Sequence, residues 1–256
     1  MIILEAAAVA MLDAAVHGGY AVDLGVLDSA ARAFQQTSDS LGALGLPSPS
    51  ALTAGSDTHS ALALVVTGAL NTAATSLSSV GGRLRTMAEN YRHVEAVLTQ
   101  ALESIEGSAA DGLGPTVPVL IPGARPATGV GRAEPAGGWE AAGTAMLLGA
   151  SAAHDAPGLT PTPHIGPENL RAAAAGWFAA AGRIDDHHEA AAAAAGAVTA
   201  HCSGPAVEAF REKTVGLFSS RPSRGETVAA GDPLMDQLSA CCRLLARAHD
   251  AAAEMF

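Results

Sequence analysis

A long heptad repeat in the first half of the chain constrains the fold more than any other feature. Apolar or large residues recur there with gaps that alternate between four and three residues: Val80, Leu84, Met87, Tyr91, Val94, Leu98, Ala101 and Ile105. This spacing predicts a helix with one apolar seam that packs nearly parallel or antiparallel to another helix. A looser repeat extends the seam back to Leu62. The segment from Leu24 to Leu41 has the same alternation, with Asp23 in position to cap it.

The second half of the chain repeats this design. A seam runs through Leu170, Ala174, Trp177, Ala181, Ile184, His188, Ala191, Ala195 and Val198 and ends at Cys202. A further helix is predicted after Gly204-Pro205, and a last one begins near Asp232-Pro233. We find no run of alternating β-branched residues long enough for a sheet. The sequence therefore predicts an all-α fold of two tandem antiparallel helical hairpins, joined by an irregular linker.

Three segments follow from this pattern. Residues 1–106 are predicted to form an N-terminal helix and the first hairpin, and residues 166–256 the second hairpin with an additional C-terminal helix. Residues 107–165 are rich in Gly and Pro and predict an irregular linker, with one short helix starting near Trp139. The first 16 residues are apolar but have no basic region, so we expect an amphipathic helix that packs on the rest rather than a signal peptide or a membrane span.

Composition excludes several functions. The chain is 49% hydrophobic and only 4% aromatic, and alanine supplies much of the apolar content. Its net charge of -11 repels phosphate backbones, so no nucleic-acid partner is expected. Three cysteines give neither a disulfide framework nor a zinc spacing, and we expect no cofactor. We expect synthesis in the cytoplasm.

Two short stretches could carry chemistry. Cys202 follows His201, and a reactive thiol would need a lowered pKa and a partner base. However, Ser203 can cap, Gly204 can take positive φ and Pro205 suits a first helical turn, so we favour a turn. The stretch from Asp185 to Glu189, "DDHHE", could bind a metal. No third or fourth ligand follows at helical spacing, so we favour a solvated face with His188 on the seam, and no metal site.

The residues around this turn resemble the Trp-X-Gly helical-hairpin family of type VII (ESX) secretion, in its actinobacterial, toxin-associated form. Cys202, Ser203 and Gly204 stand where that family has Trp-X-Gly. Pro205, Ala206, Ala209 and Phe210 then match its "PAAxAF" helix start. The match covers roughly residues 165–256. The tryptophan is replaced by Cys202.

The first half resembles the secretion-target hairpins of the same family. Tyr91-x-x-x-Glu95 is similar to their Tyr-x-x-x-Asp/Glu export signal, although here it lies in the middle of the chain and the loop of the first hairpin lacks the Trp-X-Gly motif. The resemblance implies a non-enzymatic, secretion-associated protein. Such a protein leaves the cell, or reaches its surface, without a cleaved signal peptide.

The implied mode of action is helix–helix binding through the two seams. The expected interacting residues are Leu84, Met87, Val94, Leu98, Trp177, Ile184, Val198 and Phe210. The expected partners are the type VII secretion machinery and either another helical-hairpin protein or the chain's own second hairpin. In the latter case the Leu84–Leu98 seam is predicted to pack on the Trp177–Val198 seam. The alternatives are an intracellular adaptor or chaperone of a larger toxin and, with less support, a small metal- or cysteine-dependent hydrolase.

Overall fold

The computed structural model describes residues 21–47, 57–110, 138–156 and 165–256. Within these ranges the chain forms helices and no strand, which confirms the predicted all-α class. The helices are α1 (Leu24–Gly42), α2 (Asp57–Ala110), α3 (Gly138–Asp155), α4 (Pro167–His201), α5 (Pro205–Thr214) and α6 (Leu234–Ala253). The predicted N-terminal helix and most of the predicted linker lie outside the described residues.

The starts of α1 and α4 follow the local signals in the sequence. Asp23 is extended, and its side chain accepts a hydrogen bond of 3.0 Å from the amide of Val26, so it caps α1 as predicted. Pro167 occupies the first turn of α4, where its missing N–H costs nothing.

The start of α6 differs from the prediction. Asp232 does not cap the helix, because its carboxylate accepts a 2.8 Å hydrogen bond from the amide of Ala229 instead. The first backbone amides of α6, which have no partner within the helix, donate hydrogen bonds to residues outside it. Leu234 and Met235 donate to the main-chain carbonyls of residues 216–217, at 3.0 and 2.9 Å. The turn that follows α5 therefore supplies the cap, and these two bonds tie that turn to the start of α6.

Helix α6 lies at the centre of the second half. Every residue from Leu234 to Cys242 is buried, so this helix is covered on all sides at its start. It packs against α4, α3 and α2. The predicted second hairpin pairs α4 with the helix that follows the turn. In the structure α4 pairs mainly with α6 instead, since the helix after the turn, α5, is only 10 residues long.

The two halves share one core, but not through the predicted seams. Among the described helices, α2 does not pack against α4. Helix α1 packs against both of them, and α6 contacts α2, so the direct Leu84–Leu98 to Trp177–Val198 contact is a wrong prediction. The physical reason is that each long seam is already covered by a shorter helix, α1 on α2 and α6 on α4.

Three phenylalanines link α1 to the region around α5. Phe34 is fully buried; its ring lies 6.0 Å from that of Phe218 in a stacked arrangement and 6.1 Å from that of Phe210 edge-on. Such pairs stabilise beyond the apolar area that they bury. Aromatic packing therefore adds to the α1–α4 and α2–α6 contacts that join the two halves of the chain.

One helix has the length and composition of a membrane span. Residues Thr58–Val97 of α2 reach a mean hydropathy of 1.4 in their most apolar window, and half of that window is buried inside the bundle. The core helix of a bundle can have the same length and hydropathy, so a single such helix is weak evidence for a membrane span.

Neighbouring glycines in α2 give a matched pair of substitutions. A Cβ on Gly81 would lie 2.9 Å from the carbonyl oxygen of Ala31, whereas a Cβ on Gly82 would meet nothing. We expect Gly81→Ala to lower the free energy of unfolding by about 1–3 kcal/mol, because α1 must move away. Gly82→Ala is expected to raise it by up to about 1 kcal/mol through helix propensity. Urea denaturation of both variants tests this, and equal effects from the two would contradict the close helix contact.

Candidate functional site

Of the four residues of the predicted turn, Cys202, Ser203 and Gly204 lie between α4 and α5, and Pro205 is the first residue of α5. Helix α4 ends at His201, Gly204 has a φ of 117°, and Pro205 begins α5. A residue with a side chain would be strained at that φ, so glycine is required there. The sequence "CSGP" thus ends one helix and starts the next.

This turn is bound to the segment before α1. The amide of Ser203 donates to the carbonyl of Ala21 at 2.9 Å, and the amide of Ala21 donates to the Ser203 hydroxyl at 3.0 Å. Cys202 is 5% exposed, and its sulfur contacts the carbonyl oxygen of Asp23 at 4.0 Å. His201 is exposed. The contacts of Cys202 are those of a packed turn residue, and its described polar contact is a carbonyl rather than a base.

Helix α2 continues far beyond the start of α1. The two helices are antiparallel, and their register is set by Ser38 bonding to the carbonyl of Ala74, by Gln35 with Ser78, and by the ion pair of Asp28 with Arg92. These pairs place Leu24, where α1 begins, level with about residues 88–96 of α2. Residues 93–110 of α2, called here the α2 extension, run on for about 27 Å.

No other described helix packs along the α2 extension. Helix α3 contacts the first part of α2, where Gly149 lies against Leu62 and Gly138 near Thr72. Helix α6 meets α2 near its start, at His59. Within the described ranges, the extension therefore leaves the bundle as a single helix.

The predicted export motif lies where this extension begins. Tyr91 is half-buried and packs against the core, whereas Glu95, one turn later, is exposed. Because residues four apart share a helix face, a groove on a partner could contact both side chains together.

The predicted seam residues divide between core and edge. Leu84, Trp177, Ile184 and Val198 are buried, and Met87, Val94 and Phe210 are half-buried. The side chain of Leu98 lies outside the described residues. In the second half the seam is thus core, whereas in α2 it passes from the core into the extension.

The structure also brings together a buried polar cluster that was not predicted. His188 and Asp236 are 1% and 4% exposed. The Nε2 atom of His188 lies 2.8 Å from the carbonyl oxygen of Ser219 and carries the proton for that bond. The Asp236 carboxylate accepts from the Ser219 hydroxyl at 3.0 Å and from the Ser223 amide at 2.7 Å. Side chains of α4 and α6 therefore hold the segment between α5 and α6.

The other part of this cluster is an ion pair between α4 and α6. Arg243 bonds to the Asp185 carboxylate, and it also donates to the Ser239 hydroxyl at 2.7 Å and to the carbonyl of Gly225 at 3.2 Å. The side chains of Arg243 and Asp185 are only 13% and 7% exposed. The pair thus ties the two central helices to the same segment.

Ser219, His188 and Asp236 are the residue types of a catalytic triad, but their geometry differs from one. In a triad, the imidazole accepts the serine proton on one nitrogen and donates to the carboxylate from the other. Here Nε2 donates to a carbonyl, and the Ser219 hydroxyl, 3.3 Å from Nε2, bonds directly to Asp236. His188 Nδ1 lies 3.5 Å from the Asp236 carboxylate and makes no hydrogen bond to it. The imidazole has no lone pair directed at the hydroxyl, so the arrangement favours a structural role for the cluster.

The other described residues that could bind a metal or react as a nucleophile do not come together in one site. Among the described residues, no group of three or more His, Cys, Asp or Glu side chains is placed to hold a metal ion. Asp186 is exposed while Asp185 and His188 are buried, so the "DDHHE" stretch does not converge on one point. Burial raises the pKa of the Cys241 thiol to about 12 and raises that of Cys242 as well, which keeps both thiols protonated.

Two buried histidines occupy the contact between the start of α2 and the end of α6. His59 and His249 are 3% and 0% exposed, and His249 Nδ1 donates to the carbonyl of Leu245 at 2.6 Å. Burial lowers the pKa of both rings, and the neighbouring His249 lowers that of His59 further. Both rings are therefore held neutral in the folded protein.

This pair predicts a pH-dependent stability. Because the folded pKa values are lowered, the unfolded chain binds more protons, so stability is complete above a pH of about 6.5 and falls as pH decreases through that value. We expect His249→Gln to reduce the slope of unfolding free energy against pH between about 5 and 7, measured by urea denaturation. His154→Gln, at an exposed position, is the control. An unchanged slope in His249→Gln would contradict the neutral buried pair.

Comparison with known proteins adds no relative, because no family model, no curated protein and no solved structure matches the chain. The resemblance to the Trp-X-Gly family therefore rests on the quoted residues of the sequence.

Proposed function

We propose that this protein is a non-enzymatic, type VII secretion-associated protein that acts through helix–helix binding. The observation that carries the proposal is the α2 extension, a helix end that no other described helix accompanies. Tyr91 stands at its base and Glu95 is exposed on it. An amphipathic helix of this kind can be laid into a groove of a partner and read through residues on one face.

The positions of Tyr91 and Glu95 indicate how a partner could bind them. Tyr91 is anchored against the core, so its position is fixed relative to the bundle, while Glu95 points to solvent. A partner of the secretion machinery would contact an aromatic edge and a carboxylate on consecutive turns of a rigid helix. The expected partner surface is therefore an apolar groove with a cationic residue at one end. In this account the protein leaves the producing cell without a cleaved signal peptide.

An intracellular adaptor is the second candidate. Val94 and Val97 on the extension are half-buried and lie beside no other described helix, so the same surface would suit a hairpin of a larger toxin. The two functions differ in the role of Glu95. An export signal needs this carboxylate, whereas apolar pairing needs only the valines.

The test compares two exposed glutamates on α2. We expect Glu95→Ala to reduce the secreted fraction at least about tenfold, while the melting temperature stays near that of the parent, because an exposed charge contributes little to stability. Glu89→Ala, also exposed and outside the motif, is the matched control and should be exported normally. Tyr91→Phe and Tyr91→Ala then separate the hydroxyl from the ring. Normal export of Glu95→Ala would contradict the hypothesis that Tyr91 and Glu95 form an export signal.

A further inference from the structure

The segment between α5 and α6, residues 215–233, is held to the bundle by a buried group of titratable side chains. Four side chains form this group: Asp185 and His188 of α4, and Asp236 and Arg243 of α6. The segment contributes Ser219, whose carbonyl and hydroxyl both bond to the group, and Phe218, whose ring lies 6.1 Å from that of His188. The protonation states within this group therefore decide how firmly the segment is held.

The charges of this group do not balance while the His188 ring is neutral. The positive charge of Arg243 is paired with Asp185, and the Cys242 thiol beside them stays protonated. Asp236 carries the second negative charge, and its ion pair in the described part of the chain is with His188. An uncompensated charge is unfavourable in a buried site, because little water reaches it. A proton on His188 therefore balances the group.

The His188 ring is oriented so that this proton lies beside Asp236. Nε2 already donates to the carbonyl of Ser219, so a second proton is added to Nδ1. Nδ1 is buried, has no hydrogen-bond partner in the described part of the chain and lies 3.5 Å from Asp236 Oδ1. The neutral ring places a lone pair beside the carboxylate, whereas the protonated ring places a charged N–H group there. This contact therefore changes from repulsive to attractive when the ring gains a proton.

We propose that His188 is a pH-sensitive switch, in which the proton on Nδ1 holds residues 219–225 against α4 and α6 through Asp236. Oδ1 of Asp236 also accepts from the Ser223 amide at 2.7 Å, and Oδ2 accepts from the Ser219 hydroxyl at 3.0 Å. When the ring loses its proton, the carboxylate lacks a counter-charge, and the segment opens to admit water. Because the protonated form makes the bond, the segment is held at low pH and released as pH rises through the titration of the ring. The inference is independent of export.

NMR of the full chain between a pH of about 5 and 8 tests the proposal, through the ring nitrogens of His188 and the amide exchange of Ser223. We expect both nitrogens to carry protons at the low end of this range. The protection factor of the Ser223 amide should fall about tenfold or more as the ring loses one proton, since a charge-assisted contact is lost. His188→Gln keeps a donor for the Ser219 carbonyl but cannot titrate, so this pH dependence should vanish. His187→Gln, at the neighbouring half-buried position, is the matched control and should keep it.

The direction of the change separates this switch from the buried pair of His59 and His249. That pair weakens the whole bundle as pH falls, whereas the switch predicts that protection of Ser223 rises as pH falls. Amides in the centre of α6 report the stability of the bundle in the same experiment.

Three results would overturn the proposal. The first is a Ser223 protection factor that is constant with pH or follows the amides in the centre of α6. The second is an unchanged pH dependence in His188→Gln. The third is a ring that keeps the same number of protons across the whole range. If His188→Gln does not fold, the comparison of ring titration with Ser223 protection in the parent chain decides alone.

Discussion

Arg243→Met is expected to lower the free energy of unfolding by about 3–5 kcal/mol, because it leaves the buried carboxylate of Asp185 without its counter-charge. One oxygen of that carboxylate, Oδ1, already has no hydrogen-bond partner among the described residues, so little is available to compensate. The bonds of Arg243 to Ser239 and Gly225 are lost as well. Urea denaturation monitored by circular dichroism measures the effect.

Two further variants isolate the cause of this loss. Arg211→Met removes an ion pair with Glu208 whose side chains are 64% and 59% exposed, and should cost less than about 1 kcal/mol. The double variant Asp185→Leu/Arg243→Met removes both buried charges and should recover much of the stability. If Arg243→Met costs no more than Arg211→Met, the buried pair does not hold α4 and α6 together.

Phe34→Ala is expected to cost about 3–5 kcal/mol, since it removes a fully buried ring and leaves a cavity between α1 and the α5 region. The contacts with Phe210 and Phe218 join the two halves of the chain, so amide exchange in residues 205–218 should also accelerate. Phe178→Ala, at a residue that is 39% exposed, is the control and should cost far less. A cost below about 1 kcal/mol, with unchanged exchange in residues 205–218, would contradict coupling of the halves through this ring.

The sequence predicted helices and their buried faces well, for a clear physical reason. A repeat of three and four residues places one side of a helix against a partner, so Trp177, Ile184 and Val198 could be assigned to the core without a structure. The cap at Asp23 and the turn at Gly204 depend on local chemistry and were equally accessible.

The pairing of the helices could not be predicted in the same way. Alanine-rich seams resemble one another, so periodicity does not say that α4 packs on α6 rather than on the helix after its turn. The length of the seams did contain a usable signal. The seam of α2 runs from Leu62 to Ile105, far longer than that of α1, which ends at Leu41, so an end of α2 that α1 does not accompany was foreseeable.

The buried polar cluster was missed because its members are far apart in the chain and form no motif. Asp185 and Arg243 come from different helices, and Ser219 from the segment between α5 and α6. The available signal was the position of charged side chains within apolar helices. Asp236 and Arg243 lie in α6, where every residue from Leu234 to Cys242 is buried, and a charge there requires a partner.

The central functional claim is export through a type VII pathway, and the most direct measurement is the distribution of the full chain between cells and culture medium. The producing strain is compared with a strain that lacks the secretion system, with a cytoplasmic enzyme as the marker of lysis. We predict that the protein appears in the medium, or on the cell surface, only when the system is present. The same distribution in both strains would contradict the claim, and retention inside both would favour the intracellular adaptor.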